Sequence, residues 1–242
     1  MNAPRDSRTT RREWFFKAGS IVPGAALIAA VNPIPQAGEE KKKEEKTEEG
    51  ISPVEDLMRE HGVLNRILLV YEEIINRLHK RQEFPPDVPV AAAGIIRHFV
   101  EDYHEKLEED HLFPRFEKAG KLVELVKVLR QQHAVGRRLT DSILERSTSA
   151  LLKEETVRQQ FIRHVQLFVH MYRPHESRED TVLFPAFRSI VSANEYASLG
   201  EMFEDKENEL FGAEGFEKIV ADVGELEKQL GLEDLAKFTP KI

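Results

Sequence analysis

Residues 104–116 read HEKLEEDHLFPRF, and residues 175–187 read HESREDTVLFPAF. The two stretches align without gaps, and seven of their thirteen positions are identical at an offset of 71 residues. In each stretch a histidine is followed four residues later by a glutamate, so both side chains lie on one face of a helix, one turn apart. The chain therefore repeats a helical unit that carries a His-x-x-x-Glu pair.

The repeat extends to a single histidine that precedes each pair. His61 lies in a stripe of apolar residues spaced three and four apart, and so does His133, which maps onto it at nearly the same offset. Each copy thus supplies one histidine from its first helix and a His-x-x-x-Glu pair from its second. The chain is interpreted as two copies of one helical hairpin, and a two-fold-related bundle would bring all six side chains together.

The helical boundaries follow from caps and breakers. Ser52-Pro53-Val54-Glu55 combines an N-cap, a proline in the first turn and a glutamate three residues after the cap, which predicts a helix start. Four long helices with short connections predict an all-α fold, an antiparallel up-down-up-down four-helix bundle with additional C-terminal helices. The predicted helices run from 53 to the Pro85-Pro86 pair and over about 88–118, 122–144, 154–190, 194–211 and 216–230.

Composition divides the chain into segments. Residues 38–50 are almost entirely Glu, Lys and Gly, and such a stretch has too little apolar surface to form a core. The charged helices after residue 190 are predicted to cover the bundle, without chemistry of their own. The predicted organisation is an export signal at 1–37, a charged linker at 38–50, the bundle at 51–190 and a helical extension at 191–242.

Net charge and cysteine content exclude several classes of function. The chain contains 35 Lys and Arg, 43 Asp and Glu, and no cysteine, for a net charge of −8. Without cysteine there is no disulfide, thiolate metal site or thiol nucleophile. An acidic chain also argues against a general nucleic-acid binder, which needs clustered basic side chains. Any metal has to be bound by histidine and carboxylate groups.

The N-terminal segment has the anatomy of an export signal. Residues 1–37 carry five basic and two acidic side chains, and the stretch from 18 to 31 is uncharged and rich in Ala, Ile, Val and Leu. Arg11-Arg12, placed just before aromatic residues, resembles a twin-arginine signal, which export machinery reads as an address. Cleavage after Ala37, an uncleaved membrane anchor and a disordered basic tail are left open. The expected location is the periplasm or the outer face of the cytoplasmic membrane.

Imidazole and carboxylate groups in this pattern are typical of a dinuclear metal centre. Imidazole binds Fe, Zn and Cu, and one carboxylate can give an oxygen to each of two cations roughly 3.5–4 Å apart. A lone histidine in an apolar stripe is otherwise a hydrogen-bonded core residue, and a His-x-x-x-Glu pair is otherwise a surface contact. Recurrence of both features in two hairpins favours metal binding. The predicted ligands are His61, His104, Glu108, His133, His175 and Glu179.

Two further features near these residues carry structural predictions. The Leu-Phe-Pro-x-Phe tails at 112–116 and 183–187 are predicted to close the end of the bundle. Pro174 directly precedes His175 and removes a helical hydrogen bond, which predicts a kink or bulge that aims His175. The five other histidines are left out of the site.

Residues 51–190 resemble the hemerythrin-like, or HHE cation-binding, family. The resemblance rests on His61, His104-x-x-x-Glu108, His133 and His175-x-x-x-Glu179, with Leu-Phe-Pro after each pair. It implies a non-heme di-iron centre in which His61 and His104 bind one iron, His133 and His175 bind the other, and Glu108 and Glu179 bridge them.

One departure from the family limits the function. Oxygen-carrying hemerythrins have two histidines four residues apart on the third helix, whereas Leu129 and Arg137 lie four residues either side of His133. Members with four histidines and two carboxylates are linked to iron handling, oxygen or redox sensing, and peroxide or nitric oxide chemistry. The expected function is binding of dioxygen or a related small ligand at two iron ions, with Mn and Zn left open.

Two alternatives remain at this point. The first is an oxidoreductase that consumes peroxide or nitric oxide and uses Tyr172 or Tyr103 near the site. The second is an iron-binding or storage module without turnover. The expected partners are the small ligand and the twin-arginine export machinery, and no nucleic acid is expected. Membrane contact is expected only through an uncleaved signal. A homo-oligomer is left open.

Overall fold

The computed structural model describes residues 51–242, and the predicted export signal and linker lie outside these residues. Within the described range the secondary structure is entirely helical. Four long helices come first: α1 is Pro53–Lys80, α2 runs from Val88 to Ala119, α3 is Val123–Arg146 and α4 runs from Glu155 to Phe187. Two more follow, α5 at Ala193–Phe211 and α6 at Gly215–Leu230, and short 3₁₀ turns lie at Leu151–Lys153 and Leu235–Phe238.

Helix α1 begins where the sequence predicts but ends at Lys80, before the Pro85-Pro86 pair that was predicted to end it. The Ser52 hydroxyl accepts a hydrogen bond from the Glu55 backbone N–H at 3.3 Å, and Pro53 occupies the first turn, where its missing N–H costs nothing. Arg81 ends the helix in a left-handed conformation with φ 54°. The helix ends there, before the loop that contains Pro85-Pro86.

Helices α2 and α4 are regular only in part. Helix α4 is α-helical from Glu155 to Arg178, π-helical over Glu179–Leu183 and α-helical again over Phe184–Phe187. Helix α2 has the matching π-helical turn and a second, longer one, in the order Val88–Ile95 (α), Ile96–His104 (π), Glu105–Leu107 (α), Glu108–Leu112 (π) and Phe113–Ala119 (α). Each Leu-Phe-Pro tail therefore begins at the last residue of a π-helical turn, and that turn starts at a predicted glutamate ligand.

The irregularity expected at Pro174 lies elsewhere. The α-helix continues through Pro174 to Arg178, and the π-helical turn begins only at Glu179, beyond His175. Pro185 follows that turn and cannot donate the hydrogen bond that a regular α-helix would need there, which fits a switch of hydrogen-bond register just before it.

The four long helices pack as a closed ring. Helix α1 contacts α2, α2 contacts α3, α3 contacts α4, and α4 contacts α1. Their apolar stripes form one core, which includes Leu57, Ile67, Phe99, Phe161 and Phe168, all fully buried. Burying one such side chain stabilises the fold by about 1.5–3 kcal/mol. The described residues thus form a helical bundle around a largely apolar core.

The two C-terminal helices pack on the outside of this ring. Both contact α1, and α6 also contacts α2. Phe211 lies against Phe99 and Tyr103 with ring centroids 5.6 and 5.4 Å apart, and the Arg66 guanidinium on α1 donates two hydrogen bonds to Glu227 on α6. The prediction that these helices cover the bundle agrees with this packing. Among residues 51–242, none of the helices combines the length and the apolar character needed to cross a membrane.

Candidate metal centre

The structure brings all six predicted ligand side chains into one buried cluster. Each is at most 4% exposed, in a core that is mostly apolar. Four helices contribute to the cluster: α1 carries His61, α2 carries His104 and Glu108, α3 carries His133, and α4 carries His175 and Glu179. Their donor atoms form two groups that share Glu108. Their role as metal ligands stays a prediction, but their convergence is a property of the fold.

The histidines form two pairs. The Nε2 atoms of His61 and His104 are 3.0 Å apart, and those of His133 and His175 are 3.2 Å apart. Each pair joins the first and second helices of one hairpin, as the sequence repeat requires.

The two glutamates lie between the pairs. Glu179 Oε2 is 3.5 Å from His61 Nε2 and 3.1 Å from His175 Nε2. Glu108 Oε2 is 3.8 Å from His104 Nε2 and 3.4 Å from His133 Nε2. Each carboxylate thus approaches one histidine of each pair, which is the arrangement that two bridging carboxylates need.

The outer nitrogen of every histidine in the cluster has an oxygen acceptor. His61 Nδ1 lies 2.7 Å from Asp180, His104 Nδ1 lies 2.7 Å from Glu60, His133 Nδ1 lies 3.1 Å from Glu109, and His175 Nδ1 lies 2.9 Å from the Gln132 side-chain oxygen. An imidazole that donates from Nδ1 in its neutral form presents a lone pair at Nε2. The acceptors therefore select the tautomer that binds metal through Nε2.

The inner atoms of the cluster lack partners that would stabilise them. Both carboxylate oxygens of Glu108 and both of Glu179 are buried and make no hydrogen bond. Lone pairs of paired Nε2 atoms about 3 Å apart repel each other unless a positive charge lies between or beside them. Unsatisfied carboxylates and facing lone pairs in a buried site fit a cation, because a cation satisfies both.

Protons are the alternative source of that positive charge. Burial opposes a charged imidazole at His61, but the hydrogen bond to Asp180 and the nearby Glu179 outweigh it and raise the pKa of His61 to about 10. Burial and the charge of Glu179 raise the pKa of Glu108 well above its usual range. Burial acts on Glu179 in the same direction, but the positive charge of His175 and the approach of His61 outweigh it and hold its pKa well below the usual range. Metal and protons thus compete for one site.

The Leu-Phe-Pro tails contact the site itself. The Phe184 ring stacks on His61 with centroids 5.4 Å apart, and the Phe113 ring stacks on His133 at the same distance. Phe116 and Phe187 then meet with centroids 5.8 Å apart. The tails close this end of the bundle, as predicted, and they also fix the orientation of one histidine from each pair.

Arg137 is one of the two residues, with Leu129, that lie four positions from His133. Its guanidinium is 2.7 Å from Glu105 and 2.8 Å from Glu109, and Glu109 is the acceptor of His133 Nδ1. Glu105 also accepts a hydrogen bond from the Tyr172 hydroxyl at 2.6 Å. Burial nevertheless raises the pKa of Glu105 to about 8. The position therefore carries a charged network that supports the site from outside.

The acceptors of the histidine Nδ1 atoms were not predicted from the sequence, although a signal for them exists. Each one is the chain neighbour of a predicted ligand. Glu60 and Gln132 precede His61 and His133, while Glu109 and Asp180 follow Glu108 and Glu179. The two-fold repeat maps Glu60 onto Gln132 and Glu109 onto Asp180, so a search for polar residues that recur with the repeat would have found them.

The remaining histidines are not among the groups of side chains that could hold a metal in residues 51–242. His164 Nδ1 lies 2.7 Å from the Ser142 hydroxyl, and His111 packs beside the Phe203 ring with centroids 5.9 Å apart.

Comparison with known proteins agrees with the geometry. The model of the hemerythrin HHE cation-binding domain matches residues 52–187 and, in a second register, residues 125–239. Uncharacterized proteins of Mycobacterium bovis and of two strains of Mycobacterium tuberculosis are each 45% identical to the chain over 233 residues, which is 95% of this chain and 91% of theirs. No solved structure matches the chain significantly. The second match spans α3, α4 and the two C-terminal helices, and the C-terminal helices contain no histidine.

Proposed function

The chain belongs to the hemerythrin HHE cation-binding domain family, and from this premise we propose that it holds two non-heme iron ions and binds dioxygen or a related small ligand at them. The proposal includes an antiparallel up-down-up-down arrangement of α1 to α4. The buried His and Glu cluster and the family together support a metal-binding protein. The nature of the metal, the number of ions and the ligand are the proposed part.

One observation carries the proposal: each glutamate approaches one histidine from each pair. Glu179 lies between His61 and His175, and Glu108 lies between His104 and His133. Two cations placed at the two pairs would each receive two imidazole nitrogens and one oxygen from each bridging carboxylate. Four protein ligands leave positions free on an ion that takes six, and those positions are where a small ligand would bind.

The protein residues have distinct roles in this proposal. The four imidazoles would hold the ions through Nε2, with their tautomers set by Asp180, Glu60, Glu109 and Gln132. The stacked rings of Phe113 and Phe184 would limit access of water. Iron bound there would supply reversible electron transfer to the small ligand.

Metal analysis and an absorption spectrum of the purified chain test the proposal. We expect two irons per chain and the near-ultraviolet absorption of a coupled di-iron centre, which bleaches reversibly when dioxygen is removed. His133→Ala and Glu179→Gln should lose both the iron and the absorption. His164→Ala is the matched control. His164 forms a hydrogen bond with Ser142 outside the cluster, so its replacement should leave the iron content and the absorption unchanged. A wild-type chain that purifies without metal and gains none on incubation with Fe²⁺ would refute the proposal.

A second candidate function is an oxidoreductase that consumes peroxide or nitric oxide. Tyr172 favours it, because its buried ring lies 5.4 Å from the His175 ring and its hydroxyl bonds Glu105, so a donor of protons and electrons stands beside the site. Sustained loss of peroxide over many turnovers, slowed in Tyr172→Phe, would support this function over reversible binding. Iron that exchanges freely with chelators would instead support an iron-binding or storage module.

The proposed location is the periplasm or the outer face of the cytoplasmic membrane, reached through the twin-arginine export machinery. Support comes from Arg11-Arg12 and the uncharged stretch that follows them. Replacing both arginines by lysine should leave the protein in the cytoplasm on cell fractionation. Export of that variant at the normal level would exclude the twin-arginine route.

A further inference from the structure

A second layer of buried polar side chains crosses the bundle beside the metal centre. It contains one residue from each long helix, each at most 1% exposed: Tyr71 on α1, Glu101 on α2, Thr140 on α3 and Tyr172 on α4. Glu101 precedes the predicted ligand His104 by three residues and Glu108 by seven, which is about 5–10 Å along a helix axis. A buried carboxyl group that is not a predicted ligand therefore lies close to the centre.

The two oxygens of Glu101 face different surroundings. Oε1 accepts a hydrogen bond from the Thr140 hydroxyl at 2.5 Å inside the bundle. Oε2 lies 3.1 Å from the guanidinium of Arg97, which also bonds Asp141 and the backbone carbonyl of Arg137. The Arg97 and Asp141 side chains are 20% and 64% exposed. One oxygen of this buried carboxyl group is thus separated from water by the Arg97 guanidinium.

Ionisable and polar groups from all four long helices lie around Glu101. They are Tyr71 on α1; Arg97, Asp102 and Glu105 on α2; Arg137, Thr140 and Asp141 on α3; and Tyr172 on α4. Burial raises the pKa of Glu101 to about 7, although Thr140, Arg97 and Arg137 all favour the ionised carboxylate. A change in nearby charge therefore shifts the balance between the two forms of this group near neutral pH.

Glu101 is the member of the buried polar layer whose charge can change. Burial and the charge of Glu101 raise the pKa of Tyr71, and burial, Glu105 and Glu101 raise the pKa of Tyr172, so both hydroxyls keep their protons. The Tyr71 hydroxyl also has no hydrogen-bond partner within residues 51–242. Since Thr140 does not ionise, a proton that enters this layer resides on Glu101.

The charge of Glu101 is coupled to the metal centre through the core. Burial and, to a smaller extent, the charge of Glu101 raise the pKa of Glu105, whose Oε2 lies 4.0 Å from His133 Nδ1. The Tyr172 ring lies 5.4 Å from the His175 ring. Charges interact strongly across such a buried region, because little water lies between them to screen them. An electron added at the centre would therefore raise the proton affinity of Glu101.

We propose that Glu101 takes up one proton from water when the metal centre gains one electron, and releases that proton when the electron leaves. The electron comes from an external one-electron reductant, and the proton reaches Glu101 Oε2 by way of the surface next to Arg97 and Asp141. The charge of the interior then stays constant, which avoids the cost of adding unpaired charge to a region shielded from water. The inference rests on the proposed function, because the centre has to hold a redox-active metal.

Redox titration of the iron-loaded full chain with one-electron mediator dyes tests this inference. Between roughly pH 5 and 8, the equilibrium constant for reduction of the wild type should fall by up to tenfold per pH unit, which is about 59 mV for one electron. Glu101→Gln should lose most of this dependence, because glutamine still accepts the Thr140 hydrogen bond but takes up no proton. Its iron content should equal that of the wild type.

Two further variants separate the charge of Glu101 from a structural effect. Glu73→Gln is the matched control, because Glu73 also pairs with an arginine four positions away, Arg77 at 2.7 Å, but is 22% exposed. This variant should keep the wild-type dependence. Thr140→Val keeps the carboxyl group of Glu101 but removes the hydrogen bond that stabilises its ionised form. The pH range over which the potential changes should therefore move upward.

Infrared difference spectra between the reduced and oxidised chain identify the proton acceptor directly. On reduction the wild type should gain the C=O stretching band of a protonated carboxylic acid, and Glu101→Gln should lack this band. If Glu101→Gln keeps both the band and the pH dependence, or if the potential of the wild type is independent of pH, the inference is wrong while the proposed function stands. A chain that binds no iron refutes the proposed function, and the inference falls with it.

Discussion

His61 Nε2 and His104 Nε2 face each other at 3.0 Å, although the two residues are 43 positions apart in the chain. Each ring is fixed from behind, His61 by Asp180 and His104 by Glu60, both at 2.7 Å. With its outer nitrogen engaged as a donor, each ring presents a lone pair at its inner nitrogen whenever it is neutral. The hydrogen bonds behind the rings therefore determine what the space between the rings can hold.

Removing an outer acceptor should weaken metal binding without touching a ligand. Asp180→Ala leaves His61 in place but frees its ring to rotate and to change tautomer, and loss of such a partner lowers metal affinity by about 10–100-fold. The measurement is a competition titration of Fe²⁺ against a chelator of known affinity.

Asp102 provides a matched control for this experiment. It lies 3.5 Å from His98 Nδ1, as an acceptor beside a histidine, but both side chains are exposed. Neither residue is a predicted metal ligand. Asp102→Ala should bind Fe²⁺ as the wild type does. Equal affinities in Asp180→Ala and wild type would show that Asp180 does not orient His61.

Metal binding should stabilise the folded chain, because the ligands converge only in the folded state. A metal present at 100 times its dissociation constant stabilises by about 2.7 kcal/mol, which raises the melting temperature of a domain of this size by about 5–10 °C. Calorimetry with and without Fe²⁺ measures the shift. Glu179→Gln should melt at the same temperature in both conditions, and a shift of wild-type size in this variant would place the metal elsewhere.

The sequence predicts the helices and the six convergent residues because both follow from periodicity. Helix boundaries depend on caps and prolines that are visible locally, and Ser52 caps α1 as predicted. The meeting of His61 and His133 with the two His-x-x-x-Glu pairs follows from the repeat, since related hairpins place related residues around one axis. The internal repeat of the sequence is thus enough to predict a long-range arrangement of side chains.

Other features depend on contacts that no local pattern records. The partnership of Asp180 with His61 joins residues 119 apart, and only the packing of α4 against α1 brings them together. Glu207 lies in a charged helix that reads as a solvated surface, yet it is 2% exposed because α5 packs over α1. The kink or bulge predicted at Pro174 is absent, and the π-helical turn lies instead at Glu179–Leu183, before Pro185, because a missing N–H in the sequence does not show which turn changes its hydrogen bonds.

A close approach in the core predicts an intolerant glycine. A Cβ atom added at Gly136 would lie 2.0 Å from the Tyr172 hydroxyl oxygen and 2.8 Å from the ring carbon that bears it. Tyr172 cannot easily move, because its hydroxyl bonds Glu105 at 2.6 Å. Gly136→Ala should therefore lower the free energy of unfolding by roughly 1–3 kcal/mol, even though alanine is the better helix former.

Gly94 is the matched comparison for Gly136. It also lies inside a helix, but a Cβ atom there would meet nothing within 4 Å. Gly94→Ala should raise the free energy of unfolding by about 0.5–1 kcal/mol through helix propensity alone. Urea unfolding of both variants measures the difference, and two changes of the same sign would contradict the close approach.

Glu101 predicts how the stability of the metal-free chain depends on pH. Burial raises its pKa from 4.5 to about 7, against the hydrogen bond from Thr140 and the charge of Arg97. Between these two values the folded chain binds more protons at this position than the unfolded chain does. The contribution to stability is therefore fully present below pH 4.5 and is lost as the pH rises through about 7.

Glu101→Gln should flatten this dependence, because glutamine accepts the Thr140 hydrogen bond but does not ionise, and Arg97 keeps Asp141 as a partner. The measurement is the urea midpoint of the chelator-treated chain at a series of pH values from roughly 5 to 8. The variant should lose less stability than the wild type over this range and should be the more stable of the two at its alkaline end. Glu145→Gln, on the exposed face of α3, should keep the wild-type slope. Parallel curves for Glu101→Gln and wild type would mean that Glu101 is ionised in the folded chain throughout, with Arg97 compensating its burial.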